Sequence, residues 1–250
     1  MSVILNETKQ AERILEKGEV GNKPTSTLFL LGKYYRQKEE LNKTQTFTKL
    51  NEFMSEHYNN YNAALWENTI EDISKKAHKY ALKEIDKIEI TKTELDKISE
   101  LNNIKCKKLL FTMLCYAKYH NIISDKNNGW VNAEIRELYR IARVTVKHRA
   151  DKFLYLNDLE QMGLIEFSSK NDNLNLKVTF IDDDGDIVLT ISDFRELGYE
   201  YLNYIGNGKF IRCECCGRLV KTTGKNTHYC TECQREKRLE TKREWWKRNN

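Results

Sequence analysis

Five of the seven cysteines fall within 21 residues, as Cys213-Glu-Cys215-Cys216-Gly217 and, after a loop, His228-Tyr-Cys230-Thr-Glu-Cys233. Two C-x-x-C pairs, Cys213/Cys216 and Cys230/Cys233, are separated by thirteen residues. A C-x-x-C turn followed by glycine lets two thiolates converge on one ion, and two such knuckles complete the tetrahedron that structural zinc prefers. The spacing therefore predicts one structural Zn2+ held by Cys213, Cys216, Cys230 and Cys233. A disulfide scaffold is the competing reading, but five clustered cysteines cannot all pair, and a reducing cytosol keeps thiols free. Cys215 is expected outside the ligand set, either packed beside the ligands or as a free thiol, and His228 is expected to pack against the site.

After Cys233 the chain reads Gln-Arg-Glu-Lys-Arg-Leu-Glu-Thr-Lys-Arg-Glu-Trp-Trp-Lys-Arg, without glycine or proline. These are mostly good helix formers, so a helix should grow out of the second knuckle. Arg235, Arg238 and Lys242 recur at helical spacing as a basic stripe suited to phosphates. Trp245 and Trp246 are expected to stack on bases or anchor on a protein surface; the bland reading folds them back on the domain.

Charge is placed unevenly. From Gly206 onward there are twelve Lys/Arg against five Asp/Glu, while residues 1–104 and 105–205 are each at -1. Even if zinc with four thiolates contributes -2, the tail keeps +5. A basic segment on a nearly neutral body points to an anionic partner, nucleic acid first. The run C-x-x-C-G, a basic loop, Tyr-Cys-x-x-Cys and a charged helix resembles the small zinc ribbons that end many phage and mobile-element proteins of Gram-positive bacteria. That resemblance implies nucleic-acid or replication and transcription partners, without implying catalysis.

Between Lys105 and Ile191 the hydrophobic period changes in an ordered way. Leu109, Leu110, Met113, Leu114 and Ala117 predict a helix from Lys105 to Asn121. Asn132 is expected to cap a second helix, Ala133 to Ala142. Thr145 is expected to open a third, running to Met162 and closed by Gly163. Strands are predicted at Leu164–Phe167, at Leu176–Phe180 and, from Ile187, Leu189 and Ile191, a third. Leu156-x-x-Leu159-Glu160-x-x-Gly163-Leu164-Ile165 resembles the end of the recognition helix and start of the wing in winged helix-turn-helix domains, which implies that the third helix enters the major groove. On a helical projection Val146, Ala150, Phe153 and Leu154 form the face expected to be buried, and His148, Arg149 and Lys152 the opposite one. Thr145 and His148 are expected at base edges; Lys147, Arg149 and Lys152 at phosphates, with Lys170 in the wing turn. The acidic run Asp182-Asp183-Asp184-Gly185-Asp186 fails the calcium-loop pattern, because Phe180 and Ile191 occupy its first and last ligand positions, and is expected to be a solvated turn.

Residues 6–101 read as amphipathic helices at Glu7–Lys17, Thr25–Glu40, Thr44–Tyr58, Ala63–Lys87 and Lys92–Leu101, the last with a Thr91/Glu94 capping box. Tyr34, Tyr35, Phe47, Phe53, Tyr58, Tyr61 and Trp66 are expected to build a core, and His57 and His78 to be structural or exposed.

The expected architecture is mainly α with a small β wing: a helical interaction region (1–104), a winged helix-turn-helix domain (105–205), and a zinc ribbon with a basic helix (206–250). There is no phosphate loop, no dinucleotide glycine pattern and no nucleophile, base and orienter set, so an enzyme is not expected. No signal sequence or apolar span is evident, so the chain is expected to be neither secreted nor membrane-spanning and to work in the cytoplasm. The expected function is that of a DNA-binding regulator or replication accessory factor. The rival is an interaction protein or inhibitor docking on a replication, transcription or defence complex through the N-terminal helices, which are also candidates for homodimer formation.

Overall fold

The computed structural model describes residues 3–148, 150–169, 175–222, 224 and 226–249. It is mainly helical with three small antiparallel sheets. The chain divides into two compact units, one of Ile4–Asp86 and one running from Lys87 onward.

The first unit packs α1 (Glu7–Lys17), α2 (Pro24–Lys38), α3 (Lys43–His57) and α4 (Ala63–Ala77). Three helix starts are capped as their sequences require: the side chains of Asn6, Asn42 and Asn62 accept N–H bonds from the first turns of α1, α3 and α4. Gly18 closes α1 in the left-handed conformation. Leu28, Leu31, Leu50, Met54 and Ile70 are fully buried between the helices, and Tyr34, Phe47, Tyr58, Tyr61 and Trp66 pack around them with buried Tyr35 and Phe53. The expected aromatic core is therefore present. Gly32 lets α2 approach α4, since a Cβ there would lie 2.9 Å from that of Ala77.

The fourth helix stops ten residues earlier than its composition predicts. Past Ala77 the backbone turns to pair with the N-terminal strand-like segment: Glu7 N–H donates to Lys83 O at 2.7 Å and Ile85 N–H to Leu5 O at 3.1 Å. These long-range bonds satisfy the same backbone groups that a longer helix would, and tertiary context outweighs propensity.

The second unit is built on α6 (Ile104–Ile123), which is buried on all sides from Leu109 to Tyr119. A helix apolar all round belongs in a core. Around it lie β1 (Ile88–Thr91), α5 (Lys92–Ser99), α7 (Ile135–Ile141), α8 (Ala150–Gln161), β2 (Ile165–Phe167), β3 (Leu176–Val178), β4 (Ile187–Ile191) and α9 (Leu197–Tyr204). The Thr91/Glu94 capping box of α5 forms as expected. Phe111, Tyr116 and Tyr119 of α6 meet Phe194 and Tyr201 at ring centroid distances of 5.3–5.8 Å.

Strands β2 and β3 pair antiparallel, with Ile165 opposite Val178. On its other edge β3 takes a short third partner: Val131 N–H donates to Leu176 O at 2.7 Å, and Val178 N–H to Gly129 O at 3.0 Å. The third predicted strand, β4, does not join this hairpin. It pairs antiparallel with β1, nearly a hundred residues earlier, setting Ile88 opposite Ile191 and Ile90 opposite Leu189. Burying Ile88 and Ile90 of β1 beside α6, with Ile191 buried opposite Ile88, selects that partner.

Two further expectations are corrected. Asn132 does not cap α7; it has φ of 45° and exchanges side-chain bonds with Asn127 and Asn175, and the helix begins at Ile135 after Glu134. Thr145 does not open α8, which starts at Ala150. Residues 142–148 form the turn instead, because Arg143 adopts φ of 51° and the N–H of Val144 closes back on Tyr139 O. Gly163 ends α8 with φ of 69°, as expected.

Candidate metal centre and nucleic-acid interface

The last strands, β5 (Phe210–Arg212) and β6 (Leu219–Lys221), form a hairpin whose tip is the first knuckle; the second opens α10 (Thr231–Asn249). At Gly217 the chain turns with φ of 71°, a conformation costly for any side chain, and its N–H bonds to Cys213 O at 2.8 Å. The turn folds Cys216 back toward Cys213.

The thiol atoms of Cys213, Cys216, Cys230 and Cys233 all lie within 4.8 Å of one another, and three of the four residues are buried. A tetrahedral zinc with bonds of roughly 2.3 Å has sulfur–sulfur edges of about 3.8 Å. Cys216 and Cys230 stand at that distance, 3.8 Å. The N–H of Cys230 points at Cys213 Sγ from 3.2 Å and that of Cys233 at Cys230 Sγ from 3.5 Å. Burial alone would raise the Cys213 thiol, but the backbone N–H groups of Cys230, Cys216 and Cys215 favour the thiolate and bring it down to about 6. Burial and the neighbouring thiols push Cys233 upward. Four sulfurs so crowded repel one another as thiolates unless a cation lies among them. The donor set and its spacing fit one zinc-type ion.

Cationic groups flank the cluster. Arg195 donates to Cys216 O at 2.7 Å while its guanidinium is held by Asp193. Arg218 pairs with Glu232 at 2.9 Å beside the second knuckle. Both offset the negative charge that a four-thiolate centre would carry. Arg212 clasps Glu200 through two bonds of 2.7 and 3.0 Å, fixing the hairpin to α9. Glu200 is buried, and desolvation lifts its carboxyl above the ordinary range although Arg212 pulls the other way.

His228 is not at the sulfurs; it is exposed and bonds Glu214 at 2.8 Å, across the two knuckles. Cys215 lies beside the cluster with its residue exposed. The two remaining cysteines, Cys106 and Cys115, are buried in α6, where desolvation raises their thiols and leaves them unreactive.

Beyond Cys233, α10 projects with every described side chain exposed. Successive residues rotate by about 100°, so Arg235, Arg238, Leu239, Lys242, Trp245 and Trp246 share an arc of about 120°. Glu232, Glu236, Glu240 and Glu244 follow an adjoining stripe. No described side chain pairs with Arg235, Arg238 or Lys242. Lys237 instead sits over the Tyr229 ring, 4.1 Å from its centre. Trp245 and Trp246 are 56% and 63% exposed. They do not fold back on the ribbon, so the bland expectation for them fails.

The predicted groove-facing residues are dispersed. Thr145, Lys147 and His148 are exposed in the turn before α8. Lys152 is half-buried with its ammonium 5.3 Å from the centre of the Tyr139 ring. Arg149 and Lys170 lie outside the described residues. The buried face of α8 is also not the expected one: Leu156 and Leu159 point inward, while Phe153 and Leu154 are 37% and 59% exposed. Starting the helix at Ala150, with Tyr139 OH bonded to Lys152 O at 2.7 Å, turns the Lys152–Leu156–Leu159 side toward α7 and α6.

The acidic run is a built corner. Asp182 accepts the N–H groups of Asp184 and Gly185, both at 3.1 Å, and Asp183 pairs with Lys118 at 3.0 Å. Sequence reasoning overlooked this buried network: Lys118 Nζ reaches both oxygens of Glu94, at 2.8 and 3.1 Å, and the carboxylate also accepts from Thr91 N and Asp182 N. A lysine at the end of the buried stretch Leu109–Tyr119 of α6 was the available signal.

No described helix is long and apolar enough to cross a membrane. Compared with protein-family models, with curated proteins and with solved structures, the chain matches none.

Proposed function

We propose that this chain is a nucleic-acid-binding protein, a regulator or replication accessory factor, whose zinc-held ribbon presents α10 to a polyanion. The observation that carries the reading is the face of α10 bearing Arg235, Arg238 and Lys242, free of acidic residues and without partners among the described residues. Three such cations can each displace condensed counterions from a phosphate chain, an entropic gain that needs no particular sequence. Zn2+ bound by Cys213, Cys216, Cys230 and Cys233 would cross-link the two knuckles and fix the angle at which α10 leaves.

Residues 104–178 support a winged-helix reading. The order α6, the Gly129–Val131 segment, α7, α8, β2 and β3 is that of such a domain, and β3 is bonded on both edges. Thr145, Lys147 and His148 stand at the turn where that fold meets DNA. The contact they offer is smaller than expected, since Lys152 is engaged by Tyr139. A second reading, docking on a protein, draws support from the exposed apolar pair Phe153 and Leu154 on α8.

Salt-titrated binding separates the two. Wild-type affinity for DNA is expected to fall steeply with salt. Replacing Arg235, Arg238 and Lys242 together by alanine should weaken binding and flatten the logarithmic salt slope by about 2 to 3. An unchanged slope would remove α10 from the interface and move the contact to the turn before α8, while no DNA binding at low salt would leave the docking reading.

A further inference from the structure

The α10 face carries more than charge. Trp245 and Trp246 lie one turn beyond Lys242 on the basic arc, both largely in water. Their ring centres are 6.2 Å apart and their planes cross at 85°. Rings so disposed do not stack on one another, and each keeps a face available for something else. Two neighbouring indoles left uncovered forgo a large burial of apolar surface, which a flat π partner would restore.

We infer that this face binds single-stranded nucleic acid in preference to duplex, with bases stacked on Trp245 and Trp246 and the adjoining phosphates held by Lys242, Arg238 and Arg235. The inference rests on the nucleic-acid reading of the same helix and narrows its ligand. Side chains three and four residues apart on a helix are neighbours, about 5–6 Å between Cβ atoms, so Lys242 borders both rings and Arg238 borders Lys242. A strand lying along the arc meets cations first and indoles at its end. Unpaired bases expose their π faces, whereas bases within a duplex are already stacked and offer only their edges. Arg235 and Arg238 are assigned to phosphates and stacking accepts the face of any base, so the preference is for strandedness and not for sequence. DNA and RNA strands share the chemistry that the face recognises.

The test uses the zinc-loaded full-length protein at low ionic strength. Its ligands are a short mixed-sequence DNA strand, the same strand annealed to its complement, the corresponding RNA strand, and vesicles of anionic phospholipid. A single strand of either sugar is expected to bind about tenfold or more tightly than the duplex and to quench tryptophan fluorescence. The double variant Trp245→Ala, Trp246→Ala should lose about tenfold or more of the single-strand affinity, while Trp245→Phe, Trp246→Phe keeps most of it, because phenylalanine still offers a ring face. Zinc content and far-ultraviolet circular dichroism establish that both variants fold, which the exposure of the two side chains favours. Equal or tighter duplex binding, or an alanine variant that binds the strand as the parent does, would overturn the single-strand inference and leave the phosphate reading standing. Binding to vesicles alone, or to nothing offered, would overturn both.

Discussion

Lys118 and Glu94 are the buried charges on which the second unit depends most. Both are almost inaccessible, and their network joins three segments of chain, Thr91–Glu94, Lys118 and Asp182–Asp183. Removing one member of a buried pair leaves the other desolvated and uncompensated, at a cost of about 3 to 5 kcal/mol. Lys118→Met is therefore expected to lower the unfolding free energy by about that much in urea titration, whereas the paired change Lys118→Met, Glu94→Leu recovers much of it. A double variant no more stable than the single would mean that the Thr91 and Asp182 N–H groups, orphaned together, dominate instead. At Gly198 the constraint is steric: a Cβ would lie 1.9 Å from Ala142 O, so α9 can approach the end of α7 only without a side chain there. Arg143 reinforces that junction by pairing with buried Glu196 while lying 5.3 Å from the Tyr199 ring. Apart from the Thr91–Glu94 capping box, none of these contacts can be read from sequence, since each joins residues more than twenty positions apart.

Among the elements, α8 is the one whose existence was legible and whose orientation was not. Leu156, Leu159 and Gly163 correctly announce its end, but the polar stretch before Ala150 carries no signal that the helix begins there. A start five residues late, with Lys152 recruited by Tyr139, leaves Phe153 and Leu154 outside. The two faces differ measurably. Leu159→Ala is expected to cost about 3 kcal/mol through the cavity it leaves, and Leu154→Ala no more than about 0.5 kcal/mol. Comparable losses in thermal unfolding would contradict this orientation. The strands show the same division. Alternation marks β2, β3 and β4, yet only the burial of Ile88 and Ile90 against α6 reveals that β4 belongs with β1. The Ile88-Glu-Ile90 alternation was the missed signal for β1, hidden because Thr91 also begins a well-capped helix. By contrast α10 was readable almost entirely, because an exposed helix on a metal knuckle is governed by local propensity and spacing.

At the scale of the whole molecule, the two units have separate cores, and the metal site is confined to the end of the second. Metal binding at such a site couples to local folding, since the unfolded chain rarely presents a preformed cluster of thiolates. Analysis should find one zinc per chain. Chelation is expected to abolish hydrogen-exchange protection in 210–222 and 231–249 while α1–α4 and α6 retain theirs. Loss of protection throughout the chain would show that the ribbon supports far more than itself.

What the sequence determined by itself is what local chemistry decides: the four sulfurs and their glycine turn, the caps of α1 and α5, the apolar helix α6, and the cationic helix with its two tryptophans. The β1–β4 pairing, the rotation of α8, the early end of α4 and the Lys118–Glu94 network were decided only in three dimensions. In each of those cases a residue's backbone or side chain had two nearly equal local options. The free energy that chose between them came from burying groups contributed by distant parts of the chain.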